Sequence, residues 1–274
     1  MITSLTTQQS KILSSLKWEK LPDDFILPDE PVESNLQPLL AAALRESLEL
    51  AGLILESMLI ATNFGLCATV ADKTVVKAPD WVYVPSVKPR ADTNTNIRRS
   101  YTPHLEGDIP AIVMEFISET EGGEYSINPH YPYGKWYFYE QILQIPIYVI
   151  FHPKTGVLDV YRLSSGQYEL QKPNSLNRYW LEEMGLFLGV WQGKKAEFQT
   201  YWLRWWDKEG NLLSWGSELV AQEKQKVEQE GQRAEQERQR AEQNALLLEQ
   251  ERIARRKLID KLKEMGIEPN ELDF

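Results

Sequence analysis

The sequence predicts an α+β protein in which a mixed central sheet is flanked by helices and followed by a long charged C-terminal helix. Three observations carry this. Leu36, Leu39, Leu40, Ala43, Leu44, Ser47, Leu48 and Ala51 recur at spacings of three and four, the period of an amphipathic helix. The runs IPAIVMEFIS (109–118) and IYVIFHP (147–153) are nearly continuous in apolar residues, as strands buried on both faces are. From Ser217 the composition turns to Glu, Gln, Arg, Lys and Ala with no proline until Pro269, the make-up of a long helix.

The elements follow in order. Residues 1–35 are punctuated by Pro22, Pro28 and Pro31 and read as an extended lead-in that wraps the body. Asn35 is placed to cap the helix that starts at Leu36, and Gly52 sits near its end. Leu55–Ala61 and Phe64–Val70 have strand character, ADKT (71–74) supplies a turn, and TVVKAPDWVYVP runs as a further strand to Pro85. The polar stretch 86–108 shows no period and reads as a loop, before the buried strand at 109–118. After a second loop, KWYFYEQILQ (135–144) sets Trp136, Tyr139, Ile142 and Leu143 on one helical face, and Pro146 ends that helix. Strands at 147–153, 157–163 and QYEL (167–170) make a meander, and LFLGVWQ (186–192) and YWLRWWD (201–207) add two more. The expected organisation is a lead-in (1–35), a folded domain (36–216) and a charged helix (217–274).

With 274 residues, 42% of them apolar and 26% charged, the chain can bury a full core. No stretch reaches the roughly 18–20 uninterrupted apolar residues of a membrane span, because Glu49 and Glu56 interrupt the best candidate. The first twenty residues lack the features of a secretory signal. Cys67 is the single cysteine, which rules out an intrachain disulfide and a four-cysteine zinc site. A cytoplasmic protein without membrane contact is expected. The net charge of −10 argues against a chain coated in basic residues for non-specific nucleic-acid binding, though not against a local groove. His104, His130 and His152 are scattered, and no GxSxG elbow, phosphate loop or GxGxxG turn is present.

What remains is a set of acids on strands. Asp80 stands at the start of a strand directly after Pro79, which cannot donate to a sheet ladder and so favours a strand end. Glu115 interrupts the apolar run at 109–118, and a carboxylate there requires a cation, a donor network or an open cleft. It reads either as a satisfied structural acid or as half of a metal site. Two such acids on adjacent strands repel each other, and a hard divalent cation such as Mg²⁺ relieves that repulsion. A bound cation of this kind polarises phosphate and activates water.

The string KAPDWVYVP, then IPAIVMEFIS about thirty residues on, then the helix opening KWYFYE and the run IPIYVIFHPKTGVLDVYRL, resembles the Uma-two family of restriction-endonuclease-like proteins. That family belongs to the PD-(D/E)XK nuclease-like superfamily, and the similarity spans about Leu36 to Asp207. The resemblance implies a restriction-endonuclease-like core, with Asp80 and Glu115 as ligands of Mg²⁺ or Mn²⁺. In the superfamily a lysine two residues beyond the Glu serves the attacking water, but this chain has Ile117 there. Lys135, opening the following helix, stands where a replacement would; it reads equally as a lysine snorkelling from a surface helix. An acid of the first helix completes the metal site in related nucleases, and of Glu46 and Glu49 the first lies nearer the apolar face. Arg98 and Arg99 are suited to contacting phosphate.

The resulting expectation is a Mg²⁺-dependent endonuclease that hydrolyses DNA phosphodiester bonds through Asp80, Glu115, Lys135 and Glu46. The alternative is a nuclease-fold protein without turnover that binds nucleic acid or protein, as the missing lysine and the acidic balance suggest. In the charged tail Val220, Val227, Ala234, Ala241 and Leu248 recur every seven residues, with mostly charged positions between. The tail reads either as a solvated single helix or as a coiled coil that pairs two copies as a homodimer.

Overall fold

A six-stranded mixed sheet organises the chain in the computed structural model, which describes residues 15–19, 34–90, 97–117 and 123–266. In chain order the strands are β1 (Leu16–Lys17), β2 (Leu59–Ala61), β3 (Gly65–Val70), β4 (Lys73–Lys77), β5 (Trp81–Val84), β6 (Ser100–Tyr101) and β7 (Ile112–Phe116). They continue as β8 (Ile147–His152), β9 (Val157–Ser164), β10 (Gln167–Leu170), β11 (Arg178–Leu181), β12 (Leu186–Lys195) and β13 (Phe198–Trp206). The helices are α1 (Gln37–Leu50), α2 (Lys135–Tyr137, widening into a π-helical stretch at Phe138–Leu143) and α3 (Gly216–Glu264). Of the expected lead-in, most lies outside the described residues.

The central sheet runs β10-β9-β8-β7-β5-β2. Its one parallel pair, β7 with β8, is bridged by α2, because parallel neighbours need a crossover connection. Alternation along β5, β7 and β8 sends side chains into two cores. Trp81, Met114, Phe116 and Val149 pack against Leu40, Leu44 and Leu48 of α1 and Trp202 and Trp205 of β13. Val82, Val113, Tyr148 and Ile150 face the other way, onto Phe138, Tyr139 and Ile142 of the α2 region and Leu66 and Val70 of β3. With both faces covered the strands are apolar throughout, as their sequence indicated. Each large side chain so buried stabilises the fold by roughly 1.5–3 kcal/mol.

The mixed sheet is joined by two smaller ones, β1, β3, β4 and β6 in one and β11-β12-β13 in the other. TVVKAPDWVYVP is therefore two strands in two sheets: Pro79 breaks the ladder, and β4 pairs with β3 while β5 joins β7 and β2. The stretch expected as a loop at 86–108 contributes β6, paired with β3 over only two residues, too short for a periodic signal. β12 and β13 run further than expected and meet at a turn where Ala196 takes φ +51° without glycine or asparagine to announce it. The cap of α1 also differs, since the Leu36 N–H donates to Ser34 Oγ and Asn35 makes no capping bond. Gly52, at φ +69°, ends the helix as expected.

Contacts divide the chain into two compact units, Met1–Gly216 and Ser217–Phe274. α3 has no buried residue along its length, and Gly266 follows it at φ +74°. No helix among the described residues is long and apolar enough to cross a membrane.

Candidate active site

β5 and β7 pair Trp81 with Met114 and Val82 with Val113, so one further step sets Asp80 opposite Glu115. Opposite residues in an antiparallel ladder share a face, and both acids project toward α2. Asp80 Oδ2 accepts the Phe116 N–H at 2.6 Å, which ties the half-buried carboxylate to the end of β7. Glu115 is 1% exposed. Its Oε1 accepts the Tyr139 hydroxyl at 2.9 Å and its Oε2 accepts Lys135 Nζ at 3.2 Å. Lys135 and Tyr139 are four residues apart at the start of the helix, so both reach the same acid from one face.

The electrostatics follow from this crowding. Burial pushes the Glu115 carboxyl up to about 8; the Lys135 ammonium opposes that shift, and the negative charges of Asp80 and Glu124 add to it. Burial also drives the Tyr139 hydroxyl well above its ordinary range, reinforced by Glu115, so it remains a donor. Glu124 is itself 1% exposed, with Oε1 3.9 Å from Lys135 Nζ and Oε2 without a hydrogen-bond partner among the described residues. Two buried carboxylates thus flank the Lys135 ammonium, and the negative charge of Asp80 acts on one of them.

Two elements hold the lysine beside these acids. The Tyr148 hydroxyl donates to the Glu124 carbonyl at 2.9 Å, and the Gly134 N–H donates to the Asn128 carbonyl at 3.0 Å. Gly134 runs so close to the preceding loop that a Cβ there would sit 2.0 Å from the Ser126 carbonyl oxygen. The loop carrying Glu124 and the helix start carrying Lys135 therefore touch backbone to backbone.

Asp80, Glu115 and Lys135 come together as the sequence suggested. Glu46 does not join them: its Oε2 accepts Lys195 at 2.6 Å and its Oε1 accepts the Gly216 N–H at 2.9 Å. The reason is helix polarity. The first turn of α1 meets the end of β7, where Gln37 Nε2 donates to the Phe116 carbonyl at 2.7 Å, and Glu46 lies nine residues or about 13 Å further along the axis. Glu49 is exposed. Arg98 is also committed internally, paired with Glu106 at 2.7 Å with its side chain 4% exposed. Sequence reasoning missed Gln37, Tyr139 as an acid partner, and Glu124. Tyr139 was findable from its spacing to Lys135, whereas Glu124 sits in an aperiodic loop that gave no signal.

A family model described as "Uma2: Putative restriction endonuclease" matches residues 14–194. The chain belongs to the Uma2 family. This agrees with the PD-(D/E)XK-like placement and gives the Uma2 chain a nuclease-like function at the level of the family. No curated protein matches it. Proteins of the restriction-endonuclease-like group are generally divalent-metal dependent. Among the described residues of this Uma2 protein no three His, Cys, Asp or Glu side chains form a ready ligand group. The Asp80–Glu115 pair nonetheless fits Mg²⁺, which takes one or two carboxylates and completes its shell with water and phosphate oxygens. The excess of acids and the unpartnered Glu124 oxygen also favour added positive charge.

Proposed function

We propose that this Uma2 protein is a divalent-metal-dependent endonuclease that hydrolyses DNA phosphodiester bonds. Asp80 and Glu115 are the residues that would hold Mg²⁺ or Mn²⁺. When bound, such a cation polarises a phosphate oxygen and lowers the pKa of a coordinated water. The chain's own groups prepare the rest. The Phe116 N–H fixes the Asp80 carboxylate, and the Tyr139 hydroxyl fixes Glu115 Oε1. Gln37 anchors the Phe116 carbonyl and so the end of β7. Lys135 takes the place left by Ile117: its ammonium orients the attacking water and offsets negative charge on the phosphate.

The observation that supports this reading is the common face of Asp80 and Glu115 with the Lys135 ammonium 3.2 Å from Glu115. Supercoiled plasmid incubated with the protein and Mg²⁺ or Mn²⁺ should be nicked and linearised, and Asp80→Ala should lower the rate at least about 10³-fold. Cleavage that survives the substitution would reject the assigned roles.

A second reading has its own support, because both Glu115 oxygens already carry hydrogen bonds and Ile117 holds no water. In that reading the protein binds nucleic acid or protein without turnover. Calorimetry with no heat of Mg²⁺ or Mn²⁺ binding selects it.

Residues 36–216 form the catalytic domain, a cytoplasmic DNA-cutting unit. The helix beyond Ser217 pairs two copies along Val220, Val227 and Leu248, which are more than half exposed. A dimer sets two cutting sites at a fixed separation. Sedimentation should give twice the chain mass for the full protein and the monomer mass for a chain ending at Gly216; two monomers would remove the helix from this role.

A further inference from the structure

We infer that this site takes DNA with unpaired bases, which Tyr125 and Tyr131 bind by stacking. The inference rests on the nuclease reading above and names the class of DNA that reading leaves open. Between β7 and α2, Tyr125, Ile127 and Tyr131 are 40%, 68% and 53% exposed. Apolar surface gathered in this way on a folded chain marks a contact site. The loop is also held still. Asn128 Nδ2 donates to the carbonyls of His130 and Pro132 at 3.0 and 2.8 Å, and Asn128 Oδ1 accepts the His130 N–H at 3.1 Å. Rings fixed before a ligand arrives lose little freedom on binding it.

The rings form two stacks that begin on neighbouring residues of α2. Tyr125 lies 6.3 Å from Trp136 at an interplanar angle of 25°, and Tyr148, Tyr161 and Tyr168 hold Trp136 through edge-on contacts. Tyr133 lies 5.8 Å from Tyr137 at 14°, and Tyr131 meets Tyr133 edge-on at 6.2 Å. Lys73 Nζ stands 4.7 Å from the centre of the Tyr131 ring, which puts a cation beside the second stack. Both stacks adjoin the acids. Glu124 precedes Tyr125 and Lys135 precedes Trp136, while the Tyr125 hydroxyl donates to Asp159 Oδ2 at 3.2 Å. Asp159 pairs with Ile150 and Ile150 with Glu115, so Tyr125 is anchored two strands, or roughly 10 Å, from the buried acid.

Charge and shape decide the occupant. An intact duplex keeps its base faces stacked on one another and is held mainly through its phosphates, by cations that a chain with 30 Lys and Arg against 40 Asp and Glu lacks in excess. A single strand presents its base faces, which stack on tyrosine rings whatever the sequence, and a lysine beside them takes the phosphate.

The test is fluorescence anisotropy on the full chain in EDTA with three labelled oligonucleotides of about 20 nucleotides, longer than a typical single-strand site. They are a single strand, its duplex and an abasic strand of equal length. The wild type should bind the single strand at least about tenfold more tightly than either of the others. Tyr125→Ala and Tyr131→Ala should each weaken single-strand binding about fivefold or more and leave duplex binding within about twofold. Tyr131→Phe keeps the ring and should bind as the wild type does. Lys73→Ala should reduce the slope of log affinity against log salt by about 0.7, one phosphate contact. Equal affinity for the single and abasic strands overturns the inference, and that comparison needs no variant, so it holds even if an alanine variant melts early. Single-strand binding unmoved by both alanine substitutions overturns it too. So does the absence of binding to all three, which returns the exposed rings to a protein contact. A chain that cuts plasmid without preferring the single strand loses this inference alone; one that stacks single strands and cuts nothing loses the nuclease reading alone.

Discussion

Two fully buried charged side chains lie in the two different cores of the central sheet, and the chain treats them in opposite ways. On the α1 side Arg204 is 0% exposed, with its guanidinium 3.4 Å from the Trp215 ring centroid and 5.5 Å from that of Trp191. Its Nη2 donates to the Leu213 carbonyl at 2.9 Å. Aromatic faces and a carbonyl lie against the cation. On the α2 side Glu115 is met by one ammonium and one hydroxyl, with Asp80 and Glu124 adding negative charge around it. A buried charge closed off by rings and carbonyls is scaffolding. One crowded by further acids is a place where added positive charge is wanted.

The sharpest way to break this contrast is to compare what each side chain does for activity and for stability. Glu115→Gln should abolish most Mg²⁺-dependent cleavage, a loss on the order of 10³-fold. It should cost less than about 2 kcal/mol, because the amide keeps an acceptor for Tyr139 and Glu124 stays beside the Lys135 ammonium. Arg204→Met should do the reverse, costing roughly 2–4 kcal/mol through lost ring contacts while leaving cleavage below the melting range intact. Chemical denaturation and plasmid nicking on both variants decide it, and a scaffold-like stability loss at Glu115 would erase the distinction.

Mg²⁺ offers a smaller effect on one core only. At about 100 times its dissociation constant it should raise stability by roughly 2.7 kcal/mol in the wild type. Asp80→Ala should remove that gain and Arg204→Met should retain it, as thermal melts with and without EDTA would register. The mildest readout is Cys67 on β3, whose thiol burial pushes up to about 12. At pH 8 a thiol reagent should leave the folded chain untouched and label one equivalent after denaturation. Rapid labelling of the native protein would show that the small sheet opens independently of the central one.

Much of this was legible in the residues because the relevant signals are local. The i, i+3, i+4 spacing of Leu36–Ala51 and the apolar runs around Glu115 and Ile150 report burial directly, so α1, β7 and β8 emerge from them. Asp80 was marked by Pro79 and Glu115 by its greasy surroundings. What escaped depends on contacts distant in sequence. Nothing near Pro79 says that β4 and β5 part into separate sheets, and a two-residue strand such as β6 has no period to find. Nearness to the apolar face singles out Glu46 over Glu49, whereas the choice turns on which end of α1 meets β7, and that end carries Gln37. Glu124 is meaningful only once Gly134 brings its loop against the α2 start.

Gly134 has an ordinary backbone conformation, φ −66° and ψ 152°, which any residue adopts without strain. What the position forbids is volume. A single methyl group at 134 would act as a wedge between the segment bearing Glu124 and the one bearing Lys135, prising a carboxylate from an ammonium while altering neither. The smallest side chain in the sequence thus sets the spacing of two of its most consequential ones.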